Sequence, residues 1–447
     1  MSQTLKEGWL SKKGKVVKNW KKRWFVLVGN ALSYYEKPGK KHLGTIDLSK
    51  ATSVDVNNDL KNKNSFKIVL PNVRTYIIVA ENEKDCSDWM NILKSCINKK
   101  APEKKDVKNT PQSEHRYSLD DFTCIKVLGR GSFGKVQLVR CNQNGKLYAM
   151  KTMNKKLLEE SDQVHATIIE RDILLQINFP FLVSARYSFQ TPEKVFLVLD
   201  YVSGGDLFNR IREEEYFNEN RARLYAAEIC LTLEYLHSLG YVYRDIKSDN
   251  FLIDTEGHIK LTDFGLTKNC MNKASDTTTT FCGTPDYMAP EMILDKPYTK
   301  DVDWWGYGVL VYEMLIGITP FYDDNPNNVY RSIVYDEPEY PNRISQTARN
   351  FISRLLVKDP TKRLGYGETD AAAIKKDPFF AGLNWEDVLN KRIEPEWIPK
   401  IQSETDTSNF DPRFTAENTG FSFEPGTIAP ETQATFQGFT LTNPEDK

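Results

Sequence analysis

The 447-residue sequence lacks any long uninterrupted apolar run. The stretch 304–321 (WWGYGVLVYEMLIGITPF) nearly reaches membrane length, but Glu313 and the glycines at 306, 308 and 317 interrupt it, which predicts a buried helix instead. Cysteine is scarce and scattered: the seven residues 86, 96, 124, 141, 230, 270 and 282 form an odd set with no C-x-x-C pair. That argues against a disulfide framework or a zinc site and predicts reduced thiols. The first residues, MSQTLKEGW, hold no apolar signal core, Ser2 stands where N-myristoylation needs glycine, and the last residues, NPEDK, form no prenylation box. The expectation is a protein of the cytosol or nucleus. Net charge is also nearly absent, at −1.

That near-zero charge is unevenly spread. Residues 1–100 carry 20 Lys and Arg against 9 Asp and Glu, whereas residues 401–447 carry 2 against 8. The N-terminal part is the one that would seek anions, whether lipid head groups, nucleic acid or an acidic protein. With 40% hydrophobic, 12% aromatic and 27% charged residues, the composition is that of an ordinary globular protein. Its length suggests three domain-sized units at about 150 residues each.

From residue 5 to 80 the signals are strand-like. The run 24–28 breaks at Gly29 and Asn30 and resumes at 32–35, and Phe66, Ile68 and Leu70 alternate before Pro71-Asn72 turns the chain into 75–80; both read as hairpins. The period then changes, because Cys86, Trp89, Met90, Leu93, Cys96 and Ile97 recur at three and four, the spacing of an amphipathic helix. A small β-barrel closed by one C-terminal helix follows, over residues 5–98. Residues 99–120 are expected to be a linker, polar and with two prolines. From 121 to 380 a β-rich lobe with one helical stretch near 162–177 precedes a larger helical lobe, and residues 381–447 read as a tail lying along the lobes. The fold class is α+β and multidomain.

The second unit carries the chemistry. GRGSFGKV (129–136) lies between apolar runs, where glycines let backbone approach phosphates and Val136 can cover an adenine. Alone it is weak, and a strand rather than a helix follows, against a dinucleotide fingerprint. Then come YAMK (148–151), with Lys151 ending a strand; Glu170 on the next helical stretch; YRDIKSDN (243–250); DFG (263–265); and APE (289–291). Singly each could be a surface charge, a helix-face pair or a turn former; jointly and in this order they are specific.

Residues 121–380 therefore resemble a eukaryotic protein kinase of bilobal fold. Tyr243 in place of the usual histidine, TFCGTP (280–285), and the tail motifs NFD (409–411) and FQGFT (436–440) narrow the resemblance to the AGC group. With the basic module in front, the whole chain is similar to the protein kinase B, or Akt, family of that group. The resemblance implies transfer of the ATP γ-phosphoryl to serine or threonine, with magnesium. It implies Asp245 as the base, Lys247 on the transferring phosphoryl, and Asn250 and Asp263 as metal ligands. The ATP set would be Leu128, Gly129, Gly131, Ser132, Phe133, Gly134, Val136, Ala149, Lys151, Glu170, Asp200, Val202 and Asp206, with Leu199 beside the adenine. Asp206, Asp249 and Glu313 stand where basophilic relatives receive substrate arginines, which favours substrates with arginines N-terminal to the target hydroxyl; each could equally be a surface charge or a structural partner.

Control elements follow from the same resemblance. Thr280 matches the activation-loop phosphorylation site, where a phosphate would pair with Arg244 and Lys268, and Thr440 matches a second site beside the aromatic anchors Phe436 and Phe439. Both imply upstream activating kinases. Three departures stand out: His165 lies one residue further from Glu170 than the family's phosphate-contacting histidine and is not carried over; Ser248 replaces a proline; and neither Ser422 nor Thr427 precedes a proline as a turn site would. Leu441 stands where the family has an aromatic.

Residues 5–98 resemble a pleckstrin homology domain. Lys12, Lys21 and Arg23 give K-x8-K-x-R across the first hairpin and Arg74 opens a later strand, so several cations could grip an inositol phosphate on a membrane lipid. Trp20 and Trp24 read as packing rather than membrane anchors. The sequence-based reading is thus a monomeric, cytoplasmic kinase recruited to the plasma membrane, with no nucleic-acid partner. Two others compete: an inactive lipid-binding scaffold, opposed by the intact Lys151, Asp245, Asn250 and Asp263, and a kinase whose basic module binds acidic protein or nucleic acid, opposed by the absence of a nucleic-acid motif.

Overall fold

The computed structural model describes residues 4–13, 20–28, 31–38, 40, 42–48, 51, 53–56, 64–70, 74–97, 117–269, 278–420 and 428–443. The chain divides into two compact units, 1–112 and 113–447.

In the first unit alternation of apolar and polar residues produces seven strands: β1 (Thr4–Lys13), β2 (Trp20–Val28), β3 (Ala31–Tyr35), β4 (His42–Asp47), β5 (Ser53–Val56), β6 (Ser65–Leu70) and β7 (Arg74–Val79). They form one antiparallel sheet in the order β4-β3-β2-β1-β7-β6-β5. Both expected hairpins are present, with Val28 opposite Ala31 and Leu70 opposite Arg74; their turns lie outside the described residues. The helix α1 (Glu83–Ile97) sets Trp89 and Leu93, both fully buried, among Leu10, Phe25, Leu27, Phe66 and Ile78. Trp24 packs edge-on to Trp9 at 5.5 Å. Trp20 does not pack as expected: it opens β2 and is 41% exposed, because the strand there has already passed the last core position.

In the second unit β8 (Phe122–Gly131), β9 (Gly134–Cys141), β10 (Leu147–Asn154), β11 (Ala185–Gln190) and β12 (Lys194–Asp200) form the small-lobe sheet. Helices α2 (Lys155–Glu160) and α3 (Val164–Gln176) belong to the same lobe. The end of the stretch expected as a linker over 99–120 packs on this lobe instead: Tyr117 stacks on Tyr187 at 3.9 Å and Leu119 lies against the same cluster. The large lobe is built on α4 (Leu207–Glu214), α5 (Glu219–Ser238), the short α6 (Pro290–Ile293) and α7 (Asp301–Ile316). The stretch singled out for its length, 304–321, lies in α7 only up to residue 316; the helix is buried from end to end of its first fifteen residues and stopped by Gly317, whose φ of +91° is the left-handed conformation that glycine adopts without steric cost. Among the described residues no helix is long and apolar enough to cross a membrane, and the described cysteines 86, 124, 141, 230 and 282 are free thiols. The tail returns to the small lobe: its strand Leu441–Thr442 pairs with β11, and Phe436 and Phe439 are fully buried.

Candidate active site

The glycine-rich segment folds as the β8–β9 hairpin, with Gly131 opposite Gly134 and Ser132 and Phe133 at its tip. Its glycines do different things. A Cβ on Gly134 would lie 1.8 Å from the Thr152 carbonyl oxygen, so β9 can approach β10 only without a side chain there. A Cβ on Gly129 or Gly131 would meet nothing within 4 Å, which leaves open space above a cavity of about 420 Å³. Lys151, Glu170, Asp245, Lys247 and Asp263 line that cavity. A second cavity of about 320 Å³ shares Gly129, Val136 and Lys151 with it and is walled by Leu128, Ala149, Leu199, Asp200, Val202, Asp206 and Asn250. The first holds Asp245 and Lys247, and the second adds the apolar walls Leu128, Ala149 and Leu199.

Lys151 reaches Glu170 at 2.8 Å and Asp263 at 3.1 Å. Burial alone would lower the lysine's pKa, but the two carboxylates outweigh it and raise it, so the ammonium stays charged. The neighbouring ammonium in turn holds Asp263 below the usual carboxylate range. Asp263 has φ +57° and Arg244 φ +69°, conformations that non-glycine residues keep only where their surroundings fix them. For Arg244 that fixing is visible: Asp303 accepts from the backbone N–H groups of Tyr243 and Arg244 at 2.9 and 2.7 Å.

Asp245 is ordered from three sides. Lys247 lies 3.0 Å from Oδ2, the Asn250 amide donates to Oδ2 at 2.9 Å, and Thr284 donates to Oδ1 at 3.1 Å. Asn250 also donates to the Asp245 carbonyl, so its amide nitrogen is committed and any cation would be met by its amide oxygen. With the ionised Asp263 this makes a donor set of two hard oxygens, which fits magnesium shared with nucleotide phosphates rather than a cage of protein ligands.

The substrate side is less uniform. Asp249 is exposed, while Asp206 caps α4 by accepting from Asn209 at 2.7 Å. Glu313 is buried: it accepts from Ser248 at 3.1 Å and from Tyr287, and burial raises its pKa to about 7. The Asp200 carboxylate is bound by Arg186 at 2.7 Å and its backbone N–H donates to the Ser184 carbonyl at 3.0 Å. Glu291 forms a buried bidentate pair with Arg363.

In the activation segment Thr280 is exposed. Its carbonyl accepts from Tyr298, whose hydroxyl also lies 3.4 Å from the Arg244 guanidinium; Lys268 donates to Thr278, 3.2 Å from the Thr280 hydroxyl. Thr440 is exposed beside the buried Phe439. Ser422 and Thr427 lie outside the described residues. On the first unit Lys12 and Lys21 are cross-strand partners, and Lys12 Nζ sits 3.8 Å over the Tyr34 ring. Lys12, Lys21 and Arg23 continue the inward-facing rows of Leu10, Phe25 and Leu27 beyond the core. The side chain of Arg74 lies outside the described residues.

Sequence reasoning missed Thr284, Asp303, Phe410 and Phe414 as site residues. The two phenylalanines line the second cavity from the tail. Thr284 sits inside the TFCGTP motif and Phe410 inside NFD, so both signals were present; Asp303 had none beyond a carboxylate opening an apolar helix.

A two-lobed unit with a lysine–glutamate pair, a positioned aspartate and a second aspartate on one phosphate-sized cavity defines a protein kinase. Comparison with known proteins agrees: residues 122–380 match the protein kinase domain, 4–98 the PH domain and 401–440 the protein kinase C terminal domain. The chain is 42% identical over 436 residues to the RAC family serine/threonine-protein kinase homolog of Dictyostelium discoideum, covering 97% of this chain and 96% of that protein. It is 37% identical over 444 residues to the RAC-beta serine/threonine-protein kinase of Homo sapiens, covering 93% and 92%. The chain belongs to the RAC, or Akt, family of serine/threonine-protein kinases, with a PH domain ahead of its kinase domain.

Proposed function

We propose that this kinase phosphorylates serine or threonine in proteins carrying arginines N-terminal to the target, that phosphoinositides recruit it to the plasma membrane, and that phosphorylation at Thr280 and Thr440 by upstream kinases activates it. The observation that carries the catalytic part is the convergence of Lys151, Asp245, Lys247 and Asp263 on one cavity.

The substrate hydroxyl oxygen attacks the γ-phosphorus, the bond to the β,γ-bridging oxygen breaks, and ADP leaves. The hydroxyl proton passes to Asp245, whose oxygens Lys247, Asn250 and Thr284 orient. Lys151 holds the α- and β-phosphates, and Lys247 stabilises charge on the transferring group. Magnesium, held by Asn250 and Asp263, would neutralise phosphate charge. Positioning and charge neutralisation supply most of the rate.

Arginine selection is supported by the exposed Asp249 and the half-exposed Asp206; Glu313, already bonded to Ser248 and Tyr287, contributes less while buried. A phosphate on Thr280 would meet Lys268 and Arg244, because Thr278 and Tyr298 already link those cations to it. Phosphoinositide binding is supported by Lys12, Lys21 and Arg23 on one face of the β1–β2 hairpin. Asp263→Ala should abolish transfer from labelled ATP to an arginine-containing serine peptide while circular dichroism stays unchanged; wild-type turnover in the pure variant would overturn the metal assignment.

A further inference from the structure

The tail does more than line the second cavity. After Phe410 and Phe414, residues 415–420 cross the glycine-rich hairpin and are tied to it at four points. Lys126 donates to the Thr415 carbonyl at 3.3 Å, Gln137 to the Thr419 carbonyl at 3.0 Å and Lys135 to the Gly420 carbonyl at 2.6 Å. The fourth is an ion pair. Arg130, between the two glycines that face open space, gives Glu417 a fork of bonds: Nε at 2.9 and 3.1 Å and the terminal nitrogen at 2.7 Å.

Arg130 lines both cavities. Its backbone therefore moves with the part of the hairpin that would close on phosphates, and its side chain is anchored outside the cleft. Glu417 is the only one of the four tail groups that bonds through a side chain; the others offer backbone carbonyls, which any sequence has. On the tail side of these four ties, a side-chain change at 417 alone can thus loosen the strap over the hairpin. Lys135 adds to the attraction, and the pair lowers the pKa of Glu417, first through the hydrogen bond from Arg130.

We propose that Arg130 and Glu417 form a latch by which the tail holds the glycine-rich hairpin over the bound nucleotide, making Glu417 a positioning residue for nucleotide retention. The inference rests on the ATP site proposed above. A nucleotide bound beneath the hairpin leaves when the hairpin lifts, and lifting it requires this forked bond to break. Latching therefore slows nucleotide dissociation and lowers KM for ATP without touching the reacting atoms. Arg130 is well exposed, so the effect is moderate and weakens with salt.

The test uses the full chain with a fluorescent ADP analogue and steady-state kinetics on a serine peptide. Glu417→Gln should speed analogue dissociation and raise KM for ATP about two- to fivefold, with kcat within about twofold of wild type. The swapped pair Arg130→Glu with Glu417→Arg should restore both toward wild type, which a merely structural loss would not. In wild type the dissociation rate should rise between low and high salt more steeply than in Glu417→Gln. Unchanged dissociation and KM in Glu417→Gln, or no recovery in the swapped pair, would overturn the latch. Failure of the wild-type chain to bind the analogue would instead overturn the ATP site, and the latch with it.

Discussion

His237 shows how one residue can govern the catalytic loop without reaching the substrate. Its Nε2 and Nδ1 lie 2.9 Å from Asp303 and 2.9 Å from Asp370, so both nitrogens can donate only if the ring is charged. Burial alone would lower its pKa, but the two aspartates outweigh it and raise it to about 9. Because the folded value exceeds the ordinary 6.5, the stabilisation is fully present below about pH 6.5 and is lost as pH rises through about 9. The loss should be roughly 3 kcal/mol of unfolding free energy, and in His237→Asn the decline over this window should flatten. Chemical denaturation at pH 6.5 and 9 measures it; parallel pH dependence in wild type and variant would contradict the charged ring. At this scale the groups assigned to the reaction were legible because chemistry fixes their spacing: Lys247, Asn250 and Asp245 lie within six residues and meet within 3.0 Å. Asp303 was not legible, because it reaches the loop from α7, about sixty positions away.

Among elements, the hairpin β8–β9 separates packing from binding most cleanly. Gly134→Ala places a methyl on the Thr152 carbonyl, so it should lower the melting temperature by several degrees and abolish nucleotide binding together. Gly131→Ala meets open space, so it should melt near wild type and raise KM for ATP. A thermal melt with and without ATP distinguishes them; equal stability in both variants would contradict the packing argument. The strands were readable from period-two alternation and α7 from its apolar length. The helix α2 was not: six residues, KKLLEE, give too few turns for periodicity. Its Lys155 is fully buried, donating to Gln190, the Thr191 carbonyl and Gln433 of the tail, and burial lowers its pKa to about 8. A lysine there reads as surface until the tail is in place.

Over the whole molecule the tail is the part that sequence periodicity described least. It looked too poor in apolar residues for a core of its own, and among the described residues it forms none; it lends Phe436 and Phe439 to the kinase unit instead. Phe439 is fully buried under Arg171, 5.0 Å from its ring. Phe439→Ala should release residues 428–443, seen as new protease sensitivity there, and reduce activity severalfold; an unaltered cleavage pattern would contradict tail docking. The basic N-terminal unit and the kinase unit each account for one side of the charge asymmetry, and the proposed recruitment assigns the basic side to a lipid surface and the catalytic side to the transfer.

The most direct test joins both units in one assay: phosphorylation of an arginine-containing serine peptide anchored to vesicles, with and without 3-phosphorylated inositides, by wild type and Arg23→Ala. The account predicts faster phosphorylation on inositide vesicles for wild type only, with equal rates on free peptide for both proteins. Equal rates for wild type on all anionic vesicles, unchanged by Arg23→Ala, would contradict recruitment by a specific lipid.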